Sequence, residues 1–157
     1  MGKGNDAGGD GVMKSRRVLA AVLLAMLAAL VLALPASGAP LAHLETVMTG
    51  EKEAPKQGDP NGIGEAKVKV FKAKVCYTLT AKRIEPATAA HIHKAPKGEA
   101  GPIVVPLKPP TDGSSSGCED ISRSLSRALR EHPGRYYVNV HNEPYPDGAI
   151  RGQLERD

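Results

Sequence analysis

The sequence predicts an all-β fold, an antiparallel Greek-key β-sandwich or barrel with one short helix. Seventeen glycines and thirteen prolines make about one residue in five a turn former, which favours many short strands over long helices. Several short runs also alternate apolar and polar residues, as half-buried strands do. A single stretch has helical spacing, so a βαβ architecture lacks the helices that it needs.

The first half of the domain contains the clearest strands. In residues 65–70, Ala66, Val68 and Val70 alternate with glutamate and lysines, so the apolar side chains should face the core and the charged ones water. Residues 75–79 continue the alternation and predict the next strand. Residues 41–50 predict an earlier strand and residues 51–62 a loop.

The second half contains the helix. Ile121, Leu125 and Leu129 recur every four residues, and Pro133 with the glycine after it ends the pattern.

Pro106 is expected to end a short apolar strand. Strands are predicted at residues 84–93, 103–105, 135–141 and 149–154, about seven in all, and a linker at residues 108–117.

An apolar block near the N-terminus predicts export. Residues 18–34 have no charged or polar side chain and follow a short basic stretch. Ala36 and Gly38 occupy the small-residue positions of a cleavage site, so residues 1–38 are expected to be a signal peptide. The alternative is an uncleaved N-terminal anchor, since seventeen residues are just enough to span a bilayer. Met13 is an alternative start of translation.

The remainder, residues 39–157, is expected to be one near-neutral domain. Of the 21 basic and 17 acidic residues, four and two lie in residues 1–38, which leaves 17 and 15 and a net charge of +2. With this balance and five aromatic residues, no nucleic-acid partner is expected. We predict a secreted or extracytoplasmic protein, attached to a membrane only through residues 18–34 if the signal is not cleaved.

The two cysteines are expected to form a disulfide. Cys76 and Cys118 both lie in the exported part, where oxidising conditions let paired thiols persist as a bridge. The bridge would close a loop of about 43 residues, which the chain-entropy model values at about 4 kcal/mol. The alternative is two unrelated reduced thiols.

Three of the five histidines lie in two strand-like patterns. In His91-Ile92-His93 the two imidazoles share one face, because residues two apart on a strand point the same way. The same alternation in residues 136–141 puts His141 on the face opposite the two valines. If Ile92 and the valines fill the core, all three histidines point away from it.

The three histidines have two main interpretations. A His-x-His pair with a third histidine on a neighbouring strand presents three imidazole nitrogens to one metal, which suits Cu or Zn. Alternatively, His91, His93 and His141 hydrogen-bond the backbone of the long loops at that end of the sandwich and organise it. Direct contact with a partner is a third role.

Other residues are assigned structural roles. Arg151 and Gly152 are interpreted as a strand detail in which glycine permits a bulge or a close backbone approach, and a phosphate or carboxylate site is the alternative. Asn139 is likewise assigned a structural role. The motifs G-x-S-x-G, C-x-x-C, H-E-x-x-H and the P-loop are absent from the sequence, so no catalytic residue is assigned.

Four blocks of sequence together resemble the CHRD (chordin-type) domain family. They are AHIHK at residues 90–94, GEAGPIV at 98–104, YYVNVHN at 136–142 and YPDGAIRGQL at 145–154. They come in the order and at the spacing of the family, and the resemblance covers residues 43–155. GEKEAP at residues 50–55 fits the family's opening, and Cys76 and Cys118 stand where bacterial members often carry cysteines.

The resemblance implies an exported binding module. In animals such domains occur in secreted antagonists of bone morphogenetic proteins, whereas microbial members are mostly exported proteins of undefined function. This chain has one copy and none of the cysteine-rich repeats of chordin, so growth-factor binding is not carried over. We expect a non-catalytic module that presents residues 94–101 and 142–147 to an unidentified protein, a surface ligand or a metal ion.

A second similarity is to copper/zinc superoxide dismutase, also a Greek-key sandwich with a His-x-His strand pair and a disulfide. It suggests a mononuclear Cu or Zn enzyme as the alternative function, on an immunoglobulin-like or superoxide-dismutase-like scaffold. That enzyme needs further ligands, and only His43 and His132 remain, neither in a matching motif. One three-histidine site is therefore the most that this sequence offers.

Overall fold

A computed structural model describes residues 1–2 and 38–157 of the chain. The predicted signal peptide or anchor at residues 18–34 therefore lies outside the described residues. No helix among those described combines the length and apolar character needed to cross a membrane. Gly38–Asp157 forms a unit of its own, to which the strands, the helix and the site belong.

Antiparallel strands form a single sheet of nine members, so the all-β class is confirmed. The strands are β1 (Ala42–Thr49), β2 (Ile63–Val70), β3 (Lys74–Lys82), β4 (Ala87–Lys94), β5 (Ile103–Leu107), β6 (Ser114–Asp120), β7 (Tyr136–Asn142), β8 (Ile150–Gln153) and β9 (Glu155–Arg156). Their order in the sheet is β5-β4-β7-β8-β1-β2-β3-β6, and β9 pairs with β1. The described chain holds two more strands than the sequence predicts, β6 and β9.

The predicted alternation in β2 and β3 is confirmed. Ala66, Val68 and Val70 are buried, and the lysines between them are exposed. Val75 and Leu79 of β3 are buried on the same side of the sheet. Because the side-chain period of a strand is two, this pattern fixes which face of the sheet meets the core.

The sheet curls until its two end strands approach each other. The amide of Lys108, just after β5, donates to the Tyr77 hydroxyl at 2.7 Å. The Ser115 hydroxyl of β6 donates to the Lys108 carbonyl at 2.7 Å. These bonds tie the ends of the sheet together by side chains, which gives a nearly closed, barrel-like sheet.

The prediction of a linker at residues 108–117 is wrong in its second half. Ser114–Asp120 is strand β6, which pairs with β3 over its whole length, from Thr80 opposite Ser114 to Lys74 opposite Asp120. Its side chains alternate between exposed and half-buried, so its serines give no apolar period to detect. Pairing with β3, and not hydrophobic burial, makes this segment a strand.

The expected end of a strand at Pro106 is also wrong. Strand β5 continues through Pro106 to Leu107, and Pro106 pairs with His91 of β4. Strand β5 stands at one end of the sheet order, where one side of the backbone has no ladder partner. Proline lacks the backbone N–H, and an edge strand needs no N–H donor on the side that has no neighbouring strand.

The predicted helix is confirmed as α1 (Arg123–Glu131). Ser122 caps it, because its side-chain oxygen accepts from the Leu125 amide at 3.1 Å. Leu129 is fully buried against the sheet, and a 3₁₀ turn at Pro133–Arg135 follows. Ile121 lies before the helix, partly buried against the core.

A disulfide joins the two cysteines. Cys76 of β3 stands directly opposite Cys118 of β6, and their sulfur atoms are 2.09 Å apart. Cys118 is exposed and Cys76 half-buried, so the bridge lies on the outer face of the sheet and contributes little to the core. It links a polar edge strand to its neighbour.

We predict that the Cys76→Ser/Cys118→Ser double variant unfolds more easily by about 2–4 kcal/mol, because the unfolded chain gains the freedom of a long loop. Urea denaturation followed by circular dichroism measures the change. Wild-type protein kept reduced should match the variant. Equal midpoints for oxidised and reduced wild type would contradict the prediction.

Candidate metal site

The structure brings the three predicted histidines together. Strands β4 and β7 are neighbours, with His91 opposite Asn139 and Ala89 opposite His141, so His91 and His141 are diagonal neighbours on one face. Their ring centroids are 5.1 Å apart, and those of His91 and His93 are 5.4 Å apart. One nitrogen from each ring lies within 4.8 Å of the other two.

Two of the rings are held by backbone carbonyls of the predicted loops. Nδ1 of His93 lies 2.9 Å from the Gly101 carbonyl oxygen, and Nδ1 of His141 lies 2.9 Å from that of Pro146. A carbonyl only accepts, so each Nδ1 carries the proton and donates it. The lone pair of each neutral ring is therefore on Nε2, as in histidines that bind metals through Nε2.

His91 is the adaptable member of the cluster. Its Nδ1 lies 3.2 Å from Nε2 of His141, and the structure gives it no backbone hydrogen bond. Two nitrogens that share a tetrahedral zinc ion at the usual bond length lie about 3.3 Å apart, close to this separation. One nitrogen of each of the three rings lies within 4.8 Å of the other two, so binding of one ion would require the rings to move closer together.

All three rings are neutral at pH 7. Burial, with smaller contributions from the other two histidines, lowers the pKa of His91 to about 4. Burial also lowers the pKa values of His93 and His141, against the opposing effect of their hydrogen bonds to Gly101 and Pro146. The cluster therefore keeps its lone pairs available without any cost of deprotonation.

The face of β7 that carries His141 is buried, although it points away from the hydrophobic core. Tyr137 and Asn139 are each 3% exposed, and Arg151 of β8, opposite Asn139, is 1% exposed. Loop backbone covers them, since Arg151 donates to the Pro96 carbonyl at 3.0 Å. The sheet thus has a second, polar buried layer under its loops.

Tyr137 links this layer to the histidines. The rings of His93 and Tyr137 stack, with centroids 4.8 Å apart and planes 7° from parallel. The Arg151 guanidinium carbon lies 3.4 Å from the centroid of the same tyrosine, in a cation–π contact. His93 and Arg151 belong to the strands on either side of β7, so their contacts with Tyr137 cross three strands.

Glu53 closes the polar layer and is missed by the sequence analysis. It follows the 3₁₀ turn Gly50–Lys52, and its Oε2 accepts from Asn139 Nδ2 at 3.0 Å. Burial, against the smaller opposing effects of Arg151 and Asn139, raises the pKa of Glu53 to about 8. The only signal for Glu53 is its place in the GEKEAP block, since a glutamate in a polar loop is ordinarily exposed.

Four side chains of this layer have a buried polar atom without a hydrogen-bond partner. Among the described residues only one further buried side-chain atom, Nε of Arg130, has none. The four atoms are Oε1 of Glu53, Nε2 of His93, Oδ1 of Asn139 and Nη1 of Arg151. Buried polar atoms are ordinarily paired, so four such atoms in one layer make it a candidate site for a bound ligand or ordered water.

Gly152 lies where two strands approach closely. An added Cβ would overlap the Thr46 side chain and the Val47 carbonyl of β1. A larger residue would therefore force β8 away from β1. Gly148 is similarly confined, since its φ is +147° and an added Cβ would lie 2.6 Å from the Glu53 carboxyl group.

The protein is thus a nearly closed, barrel-like antiparallel sheet that carries three clustered histidines on two neighbouring strands, beside the loops that follow them. The family model of the CHRD domain matches residues 44–154. The chain therefore belongs to the CHRD-domain family, and the match covers most of the unit that the structure describes. Neither a search of curated proteins nor a search of solved structures finds a match.

We predict that His93→Ala lowers the free energy of unfolding by about 1–3 kcal/mol in metal-free buffer, because it leaves the Gly101 carbonyl unpaired and removes the ring stacked on Tyr137. His91→Ala is the control, since that ring binds no backbone group, and it should cost less. Thermal unfolding in the presence of EDTA measures both. A larger loss in the control would contradict a structural role for His93.

We predict that Glu53 makes stability fall as the pH rises from about 4.5 to about 8. In that range the folded chain keeps the proton and the unfolded chain releases it, so alkali favours unfolding. Glu53→Gln, which keeps the shape and cannot ionise, should remove this part of the pH dependence. Urea midpoints at several pH values test it, and parallel curves for both proteins would contradict it.

Proposed function

We propose that this protein is an exported, non-catalytic CHRD module that binds one Zn²⁺ or Cu²⁺ ion through His91, His93 and His141. One observation carries the proposal. Three neutral imidazoles each place one nitrogen within 4.8 Å of the other two, and His93 and His141 are held in the tautomer that has its lone pair on Nε2. Imidazole nitrogen is a preferred ligand of both ions, whereas Mg²⁺ and Ca²⁺ prefer oxygen.

The surroundings of the histidines favour binding of a metal over simple loop support. Loop support needs only the Nδ1 atoms, which already bond to carbonyls. It leaves Nε2 of His93 buried and without a partner. A bound cation would use that lone pair, and the two carbonyls would then act as the outer partners that orient metal-bound imidazoles.

Binding of an ion would connect the two loops at this end of the barrel. Through His93 the ion would be tied to residues 94–101, and through His141 to residues 142–147. Loops on a rigid strand scaffold are the usual place for partner contacts. The metal would thus set the shape of the surface that the module offers to its partner.

A metal-binding titration tests the proposal. We expect untagged protein, stripped with EDTA and titrated with Zn²⁺ or Cu²⁺ in a calorimeter, to bind one equivalent. His91→Ala should abolish or strongly weaken binding, because it removes one ligand and no backbone bond. His43→Ala is the matched control, since His43 is exposed on β1 and outside the cluster, and it should bind like wild type.

Two results would overturn the proposal. One is the absence of stoichiometric binding of either metal, and the other is equal weakening by the two substitutions. Turnover of superoxide by the Cu-loaded protein would contradict the non-catalytic part of the proposal and favour the metalloenzyme alternative, for which three protein ligands leave a position open.

A further inference from the structure

A basic pocket lies next to the polar layer and apart from the histidines. It has a volume of about 280 Å³ and lies where β1, β8 and the loop after β4 meet. None of the three clustered histidines lines it. Its lining residues are Thr46, Val47, Lys52, Lys97, Arg151, Gln153 and Glu155.

The charge of the pocket favours an anion. Lys52, Lys97 and Arg151 contribute three positive charges, and Glu155 contributes one negative charge. In the part of the chain that the structure describes, the ion pairs are Lys56 with Asp147 and Arg127 with Glu131, and neither involves the pocket. The positive charges are therefore not neutralised by close ion pairs.

Arg151 strengthens the argument because it is buried. Its side chain is 1% exposed, Nη1 has no hydrogen-bond partner, and a guanidinium stays protonated in proteins. The acid that could balance it is Glu53, but burial raises the pKa of that carboxyl group to about 8, so it is mostly neutral at pH 7. Buried charges are ordinarily paired, and no carboxylate of the described residues lies within ion-pair distance of Arg151.

Thr46 and Lys52 place two further hydrogen-bond donors at the pocket. The Thr46 hydroxyl makes only a long bond of 3.4 Å to a carbonyl, so it is free to donate to a ligand. Lys52 reaches the Val47 carbonyl, which holds its ammonium group at the pocket.

We propose that this pocket binds a tetrahedral oxyanion, the phosphate or sulfate group of an ion or of an ester. Arg151 offers the N–H groups of Nη1, which have no partner in the chain, and Lys52 and Lys97 add positive charge beside it. This pocket is separate from the proposed metal site, because the two share no residue, and its proposal does not depend on metal binding.

The test uses metal-free protein, so that failure of the metal proposal leaves it unaffected. Inorganic phosphate and sulfate are titrated at constant ionic strength set with chloride, and ¹H–¹⁵N shifts report the binding. We expect saturable shifts of Lys97, Arg151 and Gln153. Methyl phosphate and methyl sulfate are titrated in parallel: binding as tight as that of the ions indicates an ester on a larger molecule, and weaker binding indicates the free ion.

The decisive variant is Lys52→Gln/Lys97→Gln, which leaves the buried Arg151 in place and should weaken binding by about tenfold or more. Lys72→Gln/Lys74→Gln loses the same net charge from two exposed residues, Lys72 in the turn after β2 and Lys74 at the start of β3, and should bind like wild type. Equal weakening by both pairs would show general attraction to a basic protein and overturn the proposal. Shifts that do not saturate would also overturn it.

Discussion

Burial of both faces of β7 is the constraint on which the rest of the structure depends. One face places Val138 and Val140 in the hydrophobic core, and the other places Tyr137 and Asn139 under the loops. An apolar face needs no partner, whereas burying the polar groups of the opposite face costs free energy unless they are hydrogen-bonded. The loops over that face therefore supply acceptors in place of apolar contacts.

The histidines follow from this constraint. Loop carbonyls at Gly101 and Pro146 accept the protons that the buried rings must donate, and burial keeps the rings neutral. The same bonds hold the loops and direct Nε2 of both rings away from the backbone. Structural support and readiness to bind a metal are thus two results of one arrangement, and the two interpretations drawn from the sequence do not exclude each other.

The sequence predicts the features that depend on the local alternation of apolar and polar residues. It fails where contacts with a segment remote in sequence determine the structure. Alternation in residues 90–94 and 136–142 correctly gives the face that carries the histidines. It does not reveal that this face is buried, because its cover comes from Glu53 and the turns near Pro96, which are remote in sequence. Strand β6 is missed for the same reason, since pairing with β3 makes it a strand.

Arg151 shows why this layer is polar. Its planar guanidinium stacks on the Tyr137 ring and at the same time donates to the Pro96 carbonyl. A lysine ammonium is not planar and could not make both contacts in this way. These contacts offset part of the cost of burying the charge, yet Nη1 and the Glu53 and Asn139 oxygens remain without partners. Two unpartnered atoms of the layer belong to the two proposed sites, Nε2 of His93 to the proposed metal site and Nη1 of Arg151 to the proposed oxyanion pocket.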